Sequence, residues 1–186
     1  MSDLFVDNIK HQSSQGSGTI TLGASGEKIT TASGAEFSAV TGHMYPAFEA
    51  HNNATQTVTD NTFVKVILQT EILDTDSCFD NSTNYRFTPT VAGKYYIEGQ
   101  IFGQSAGGSS TLRNIYSSIY KNGTQYKESR LDFQANEVSK GTISISAIID
   151  FNGSSDYVEL YTAVDTIAGA ARVITGTKST YFLGYR

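Results

Sequence analysis

Tryptophan is absent from this chain of 186 residues, and the chain contains one cysteine and two prolines. The lone Cys78 excludes an intrachain disulfide, which is typical of a protein that matures in a reducing cytosol. The 13 lysine and arginine residues are scattered in a chain of net charge −5, so we expect neither nucleic acid nor an anionic membrane surface as a partner. No apolar run approaches the ~20 residues that cross a bilayer, and MSDLFVDNIK has no secretory-signal character.

The residues that are abundant favour β-structure. Hydrophobic residues make up 39% of the chain, aromatic residues 11%, and all the aromatics are tyrosine or phenylalanine. Glycine, serine and threonine are frequent, whereas strong helix formers are sparse. This composition predicts an all-β domain with many short strands, and the length suits one such domain plus an appendage.

The appendage is predicted at the N-terminus, over residues 1–42. GSGTITLGA, SGEKITTAS and GAEFSAVTG can be written as three consecutive nonapeptides, each a short strand closed by turn residues. One such rung buries almost nothing, but three chains wound together would bury apolar side chains on a shared axis. The predicted contacts of this oligomerisation or attachment arm are Ile20, Leu22, Ile29 and Phe37. A flexible tail is the alternative.

The predicted main domain covers residues 43–186 and consists of eight or more strands in a sandwich or barrel. TISISAIIDF alternates strictly and directs Ile143, Ile145, Ala147, Ile149 and Phe151 inward. Tyr95, Ile97, Gly99 and Ile101 share one face of a strand, and FVKVILQTEIL reads as one alternating strand. The dipeptide Asn122-Gly123 predicts a type I′ turn in a β-hairpin.

The segment FDNSTNYRFTPTVAGKYYIEGQI resembles the signature of the complement subcomponent q head, a member of the tumour-necrosis-factor-like jelly-roll superfamily. PAFEAHN, SIYKNG and the closing STYFLGYR resemble further strands of that family, so the resemblance covers about 45–186. Position 97 is isoleucine rather than the family's phenylalanine, and the family's collagen repeat is absent. The resemblance implies a jelly-roll β-sandwich and a homotrimer.

Several strands carry apolar or aromatic residues on both faces, and such strands need two burial partners. One face is then core, and the other is either a subunit interface or scattered exposed surface. The predicted interface residues of the main domain are Phe63, Tyr96, Phe102, Tyr116 and Tyr120.

Three sequence patterns are of the kinds found in catalytic or metal-binding sites. GQSAG, 103–107, matches the Gly-x-Ser-x-Gly motif, but all three histidines lie upstream of it, so we predict no catalytic residues and no enzyme. Asp74, Asp76 and Asp80 suggest Ca²⁺, although a solvated acidic loop is the favoured interpretation. His43 and His51 are expected to serve packing or lie in solvent. No metal or cofactor is predicted.

The segment DNIK followed by TITLGASGEKIT is similar to leader segments of structural proteins of tailed bacteriophages. Together the two resemblances imply a trimeric virion protein, a head decoration (cement) or short fibre protein, assembled in the host bacterial cytoplasm. Its partners would be itself and a major capsid or tail protein. The alternative is a receptor- or glycan-binding fibre tip.

Overall fold

The structure is a computed structural model that describes residues 46–108, 110–175 and 178–186. The described residues form 13 β-strands and no α-helix, which confirms the all-β prediction. The strands are β1 (Ala47–His51), β2 (Gln56–Thr57), β3 (Val64–Lys65), β4 (Thr70–Asp74), β5 (Phe79–Asp80), β6 (Arg86–Phe87), β7 (Gly93–Ser105), β8 (Leu112–Lys121), β9 (Thr124–Asp132), β10 (Lys140–Phe151), β11 (Val158–Thr166), β12 (Ala171–Val173) and β13 (Tyr181–Tyr185). The predicted arm, 1–42, lies outside the described residues, and with it Ile20, Leu22, Ile29 and Phe37.

The strands make two sheets. In sheet 1 the order is β4-β1-β13-β7-β10, with β12 beside the end of β7 and β2 beside β12. In sheet 2 the order is β5-β6-β11-β8-β9, with β3 also paired to β11. Every pairing in both sheets is antiparallel.

The strands β7 and β10 form the longest pairing of sheet 1, and both behave as their alternation predicts. They pair from Lys140 opposite Gln104 to Phe151 opposite Gly93. The inward residues of β10 are buried except for the half-buried Ala147, and alternate residues of β7 are fully buried. Since side chains alternate across a strand, the other half of each strand lies on the outer face of sheet 1.

The predicted hairpin is confirmed as the connection between β8 and β9. Asn122 and Gly123 have φ values of 51° and 75°, as a type I′ turn requires. The Asn122 side chain holds the neighbouring loop, because its Oδ1 accepts a hydrogen bond from the backbone N–H of Tyr157 at 2.9 Å.

The prediction of a single strand over FVKVILQTEIL is wrong. The run is divided between β3, which pairs with β11 in sheet 2, and β4, which pairs with β1 in sheet 1. Val66 and Leu68 are nevertheless fully buried, as the alternation predicted. The chain crosses from one sheet to the other between the two strands. The alternation of apolar and polar residues does not indicate which sheet a segment joins.

The core lies between the sheets and is rich in phenylalanine. The Phe48 ring stacks on Phe87 with ring centroids 4.3 Å apart and meets the edge of Phe182 at 5.1 Å. The sheets approach closely at Gly99, where a side-chain Cβ would overlap the Leu160 methyl groups. Burial of this apolar surface is the main term that stabilises the sandwich.

Candidate interaction surfaces

The outer side of sheet 1, which we call face A, carries two rows of side chains that the strand register brings together. One row runs across β1, β13, β7 and β10 and consists of Ala47, Tyr185, Tyr96 and Ile148. The neighbouring row consists of Glu49, Leu183, Glu98 and Ser146. The first row is apolar and aromatic, and the second places carboxylates on either side of a leucine.

The apolar part of face A is open to solvent. Tyr185 and Ile148 are 53% and 59% exposed, and Leu73, from the adjacent edge strand β4, is 43% exposed. Beside them lies a pocket of about 370 Å³, lined by Ala47, Phe48, Glu49, Leu73, Leu183, Gly184 and Tyr185. Large apolar side chains grouped around a pocket are typical of a surface that another molecule covers.

The centre of face A is a tyrosine–carboxylate cluster. Tyr96 donates a hydrogen bond to Glu98 Oε2 at 2.6 Å, and Tyr181 donates one to Glu98 Oε1 at 2.7 Å. Burial and the hydrogen bond to Glu98 raise the pKa of Tyr181 to about 12. The hydrogen bond to Glu98 also raises the pKa of Tyr96. Both phenols therefore stay neutral donors at physiological pH.

The outer side of sheet 2, which we call face B, carries an aromatic strip. The rings of Tyr120 and Tyr161 are stacked with centroids 4.0 Å apart. Phe63 contacts Tyr116 edge-on at 5.5 Å and Tyr120 at 6.5 Å. Burial raises the pKa of Tyr120 and Tyr161. All four side chains are half-buried, because each ring covers its neighbours.

Charged groups flank this aromatic strip, and they are paired with one another. Lys65 Nζ lies 2.5 Å from a carboxylate oxygen of Glu159, a side chain that is 5% exposed. At the other end of the strip, the Arg130 guanidinium lies 5.4 Å from the Tyr116 ring centroid and donates to Asp132 at 2.9 Å. The strip therefore offers ring surfaces and hydroxyl groups between two ion pairs.

The five predicted interface residues of the main domain do not share a face. Tyr96 and Phe102 project from β7 on face A, whereas Phe63, Tyr116 and Tyr120 belong to the aromatic strip on face B. Their role in subunit contact is still a prediction. The sequence analysis did not single out Leu183, Tyr185 or Ile148, although the alternation Tyr-x-Leu-x-Tyr in the last strand marks two of these positions.

The acidic residues of the loop before β6 serve as acceptors for its own backbone. The Asp80 carboxylate accepts five hydrogen bonds, from the backbone and hydroxyl of Ser82, the backbone of Thr83, and the backbone and side-chain amide of Asn84. Asp74 similarly accepts the backbone N–H groups of Cys78 and Phe79, each at 3.0 Å. The hydrogen bonds to Asp80 hold the pKa of its carboxyl far below the usual range, and the bond from the Thr83 backbone has the largest effect.

Neither a metal site nor a nucleophile emerges from these groups. Within 46–108, 110–175 and 178–186, no three histidine, cysteine, aspartate or glutamate side chains are placed to hold a metal ion. Ser105 of the GQSAG motif is fully buried, and its hydroxyl is hydrogen-bonded to Thr111 and to the carbonyl of Ala168. A 3-10 turn, Ala106–Gly108, follows it instead of the helix that a nucleophile elbow needs.

Cys78 is buried, as an apolar residue would be, and burial raises its pKa. The described part of the chain has no helix long and apolar enough to span a bilayer.

No family model and no curated protein matches the sequence. Solved structures do match. The globular domain of zebrafish complement 1qA protein aligns with a TM-score of 0.51 and 14% identity, over 75% of this chain and 95% of that one. Murine APRIL at pH 5.0 aligns with a TM-score of 0.57 and 7% identity, over 76% and 98%. Eiger TNF from S. frugiperda aligns with a TM-score of 0.55 and 11% identity, over 76% and 92%. The two antiparallel sheets are therefore those of a jelly roll similar to the complement q and TNF domains.

Proposed function

We propose that this protein is a non-enzymatic structural module that assembles as a homotrimer through face A. The observation that carries the proposal is the exposed apolar row Tyr185–Tyr96–Ile148 with the pocket beside it. The jelly-roll fold and the resemblance to complement q heads support a threefold assembly. Face B is a weaker candidate for self-contact, because its rings already cover one another.

The arrangement of face A favours a ring over a two-fold dimer. Ile148 lies on the edge strand β10, whereas the pocket lies at the opposite side, between β13 and β4. If the β10 side of one copy covers the pocket side of the next, the two surfaces in contact are different. Contacts of this heterologous kind generate closed rings when the rotation between copies closes.

The chain offers a matched pair of substitutions to test this. Ile148→Asp and Ile167→Asp make the same chemical change at residues that are 59% and 55% exposed, but Ile167 follows β11 and lies outside face A. We expect Ile148→Asp to sediment as a folded monomer at concentrations where wild type and Ile167→Asp are trimers. A trimeric Ile148→Asp, or a wild type that is a stable monomer, would count against the proposal.

We further propose that the trimer is a decoration or short fibre protein of a tailed-phage virion, attached through 1–42 to a capsid or tail protein and assembled in the bacterial cytoplasm. The resemblance of the N-terminal segment to phage leader segments supports this role. Deleting 1–42 should abolish attachment to particles that lack the protein and leave the main domain folded. Normal attachment of the truncated protein would show that the arm has no such role.

A second candidate function is glycan binding at a fibre tip, and the aromatic strip on face B favours it. No hydrogen bond joins the Tyr116, Tyr120 or Tyr161 hydroxyl to another described residue, so each is free to bind a ligand hydroxyl beside the ring surfaces. Glycan-array binding that is lost in Tyr161→Ala and kept in Ile148→Asp would support this function. Failure of the purified protein to bind any glycan or to block infection of host cells would remove it.

A further inference from the structure

Among the described residues, no strand pairs with β10 on the side away from β7, and this free edge has backbone groups that a neighbouring strand would ordinarily pair. Phe102 uses its backbone N–H for Thr180 Oγ1 and its carbonyl for the N–H of Ile174, on the side of β7 away from β10. Its partner on β10, Thr142, therefore directs its own backbone groups to the free edge. The same holds for every second residue that follows, including Ser146, Ile148 and Asp150.

Three side chains from the β8–β9 hairpin of sheet 2 donate hydrogen bonds to the β10 carbonyls that point toward this edge. Lys127 Nζ donates to Ser146 O at 2.7 Å, and Tyr126 Oη donates to Ile148 O at 3.3 Å. Lys121 Nζ donates to Asp150 O at 2.7 Å. The three donors come from one hairpin and bind the carbonyls of every second residue of β10. They therefore take the place of the backbone N–H groups that a neighbouring strand would supply.

The sequence of β10 makes such protection necessary. TISISAII, 142–149, contains no charged residue and no proline, and it is rich in β-branched side chains. Segments of this composition pair readily with identical copies when their edge is free. The partner that fits an unprotected β10 is therefore the β10 strand of a second copy of this chain.

We propose that Lys121, Tyr126 and Lys127 guard the β10 edge against strand addition by a second copy. Lys121 is itself held by Asp156, at 3.0 Å, so its donor is fixed in place. Lys127 and Tyr126 lie on an exposed strand, and each donates a side-chain hydrogen bond to the β10 edge. The guard leaves the side chains of face A free and blocks only backbone pairing, so it stands whether or not face A forms the proposed trimer.

The test removes two donors and keeps their bulk. The double variant Tyr126→Phe/Lys127→Met is incubated as the full chain, and growth of sedimentable, thioflavin-T-binding assemblies is followed over time. Tyr157→Phe/Lys178→Met is the matched control, because it also removes one phenol hydroxyl and one ammonium, both from residues outside β10 that donate to no β10 carbonyl. We expect the double variant to form assemblies at least tenfold faster than wild type and control.

Loss of stability alone could also speed aggregation, so a second comparison separates the two causes. Ile145→Val shortens a buried side chain of β10 and leaves the guard intact. Conditions are chosen so that it and the double variant have the same folded fraction. Lys127→Arg, which keeps a donor, should aggregate as slowly as wild type. The proposal is overturned if Ile145→Val aggregates as fast as the double variant, or if the double variant stays within twofold of its control.

Discussion

Tyr181 donates a hydrogen bond to Glu98 across the β7–β13 pair, with Oη and Oε1 2.7 Å apart. Burial and this hydrogen bond together raise the pKa of Tyr181 to about 12, and burial is the larger cause. A phenol whose pKa is raised in the fold stabilises the protein fully below the pKa of an unfolded tyrosine, about 10. That contribution is lost as the pH rises from about 10 through about 12.

The free energy of unfolding of wild type should therefore fall more steeply between pH 10 and pH 12 than that of Tyr181→Phe. The difference between the two proteins isolates Tyr181 from the other tyrosines with raised pKa values. Urea titrations at a series of alkaline pH values would measure it. Parallel pH profiles for the two proteins would contradict the assignment.

Asp80 gives the opposite pH dependence. Hydrogen bonds from the loop hold the pKa of its carboxyl far below the usual range, and the bond from the Thr83 backbone has the largest effect. A carboxyl of this kind contributes stability above the unfolded pKa of about 3.9 and loses it as the pH falls below that value. Asp80→Asn should therefore be less stable than wild type at pH 7, with a difference that shrinks below pH 4. Asp76→Asn makes the same chemical change at an exposed position in the same loop and is the matched control.

The sequence predicts strands that alternate over their full length, such as β7 and β10, and the dipeptide Asn122-Gly123 predicts the β8–β9 hairpin. A period of two tells which side chains face the core. It does not tell which sheet a strand joins, so the pattern alone neither separates Val64–Lys65 from Thr70–Asp74 nor divides the aromatic residues between face A and face B. The Glu98–Tyr181 contact joins residues far apart in the chain, and only the register of β7 with β13 brings them together.

Gly99 is predicted to be energetically coupled to Leu160. A Cβ at position 99 would overlap the Leu160 methyl groups, so Gly99→Ala overpacks the core and should cost about 1–3 kcal/mol. Leu160→Ala alone should cost about 2–5 kcal/mol, because it leaves a cavity. The double variant should cost less than the sum of the two, by about 1 kcal/mol or more, since the new methyl group enters that space.

Chemical denaturation of the four proteins of this cycle would measure the coupling. Gly184→Ala is the matched control, because its Cβ would meet Ile97 and Phe48 rather than Leu160. It should combine with Leu160→Ala additively. Additivity in the Gly99 cycle would show that the sheets are not in contact at that point.

The buried ion pair on face B gives the last prediction. The Glu159 side chain is 5% exposed, and Lys65 Nζ lies 2.5 Å from its carboxylate. Lys65→Met keeps the apolar stem of the lysine but leaves a buried carboxylate without its counter-charge. Breaking a buried pair in this way costs about 3–5 kcal/mol, and because Lys65 is 30% exposed we expect about 2 kcal/mol here.

Removing the second charge should recover most of that loss. In Lys65→Met/Glu159→Gln no buried charge remains, so the double variant should be more stable than Lys65→Met alone. Lys94→Met breaks the exposed pair with Asp150, whose side chains are 72% and 69% exposed, and should change the free energy of unfolding by less than about 1 kcal/mol. If Lys65→Met were as mild as Lys94→Met, water would have to reach Glu159, and face B would be more open than its half-buried rings indicate.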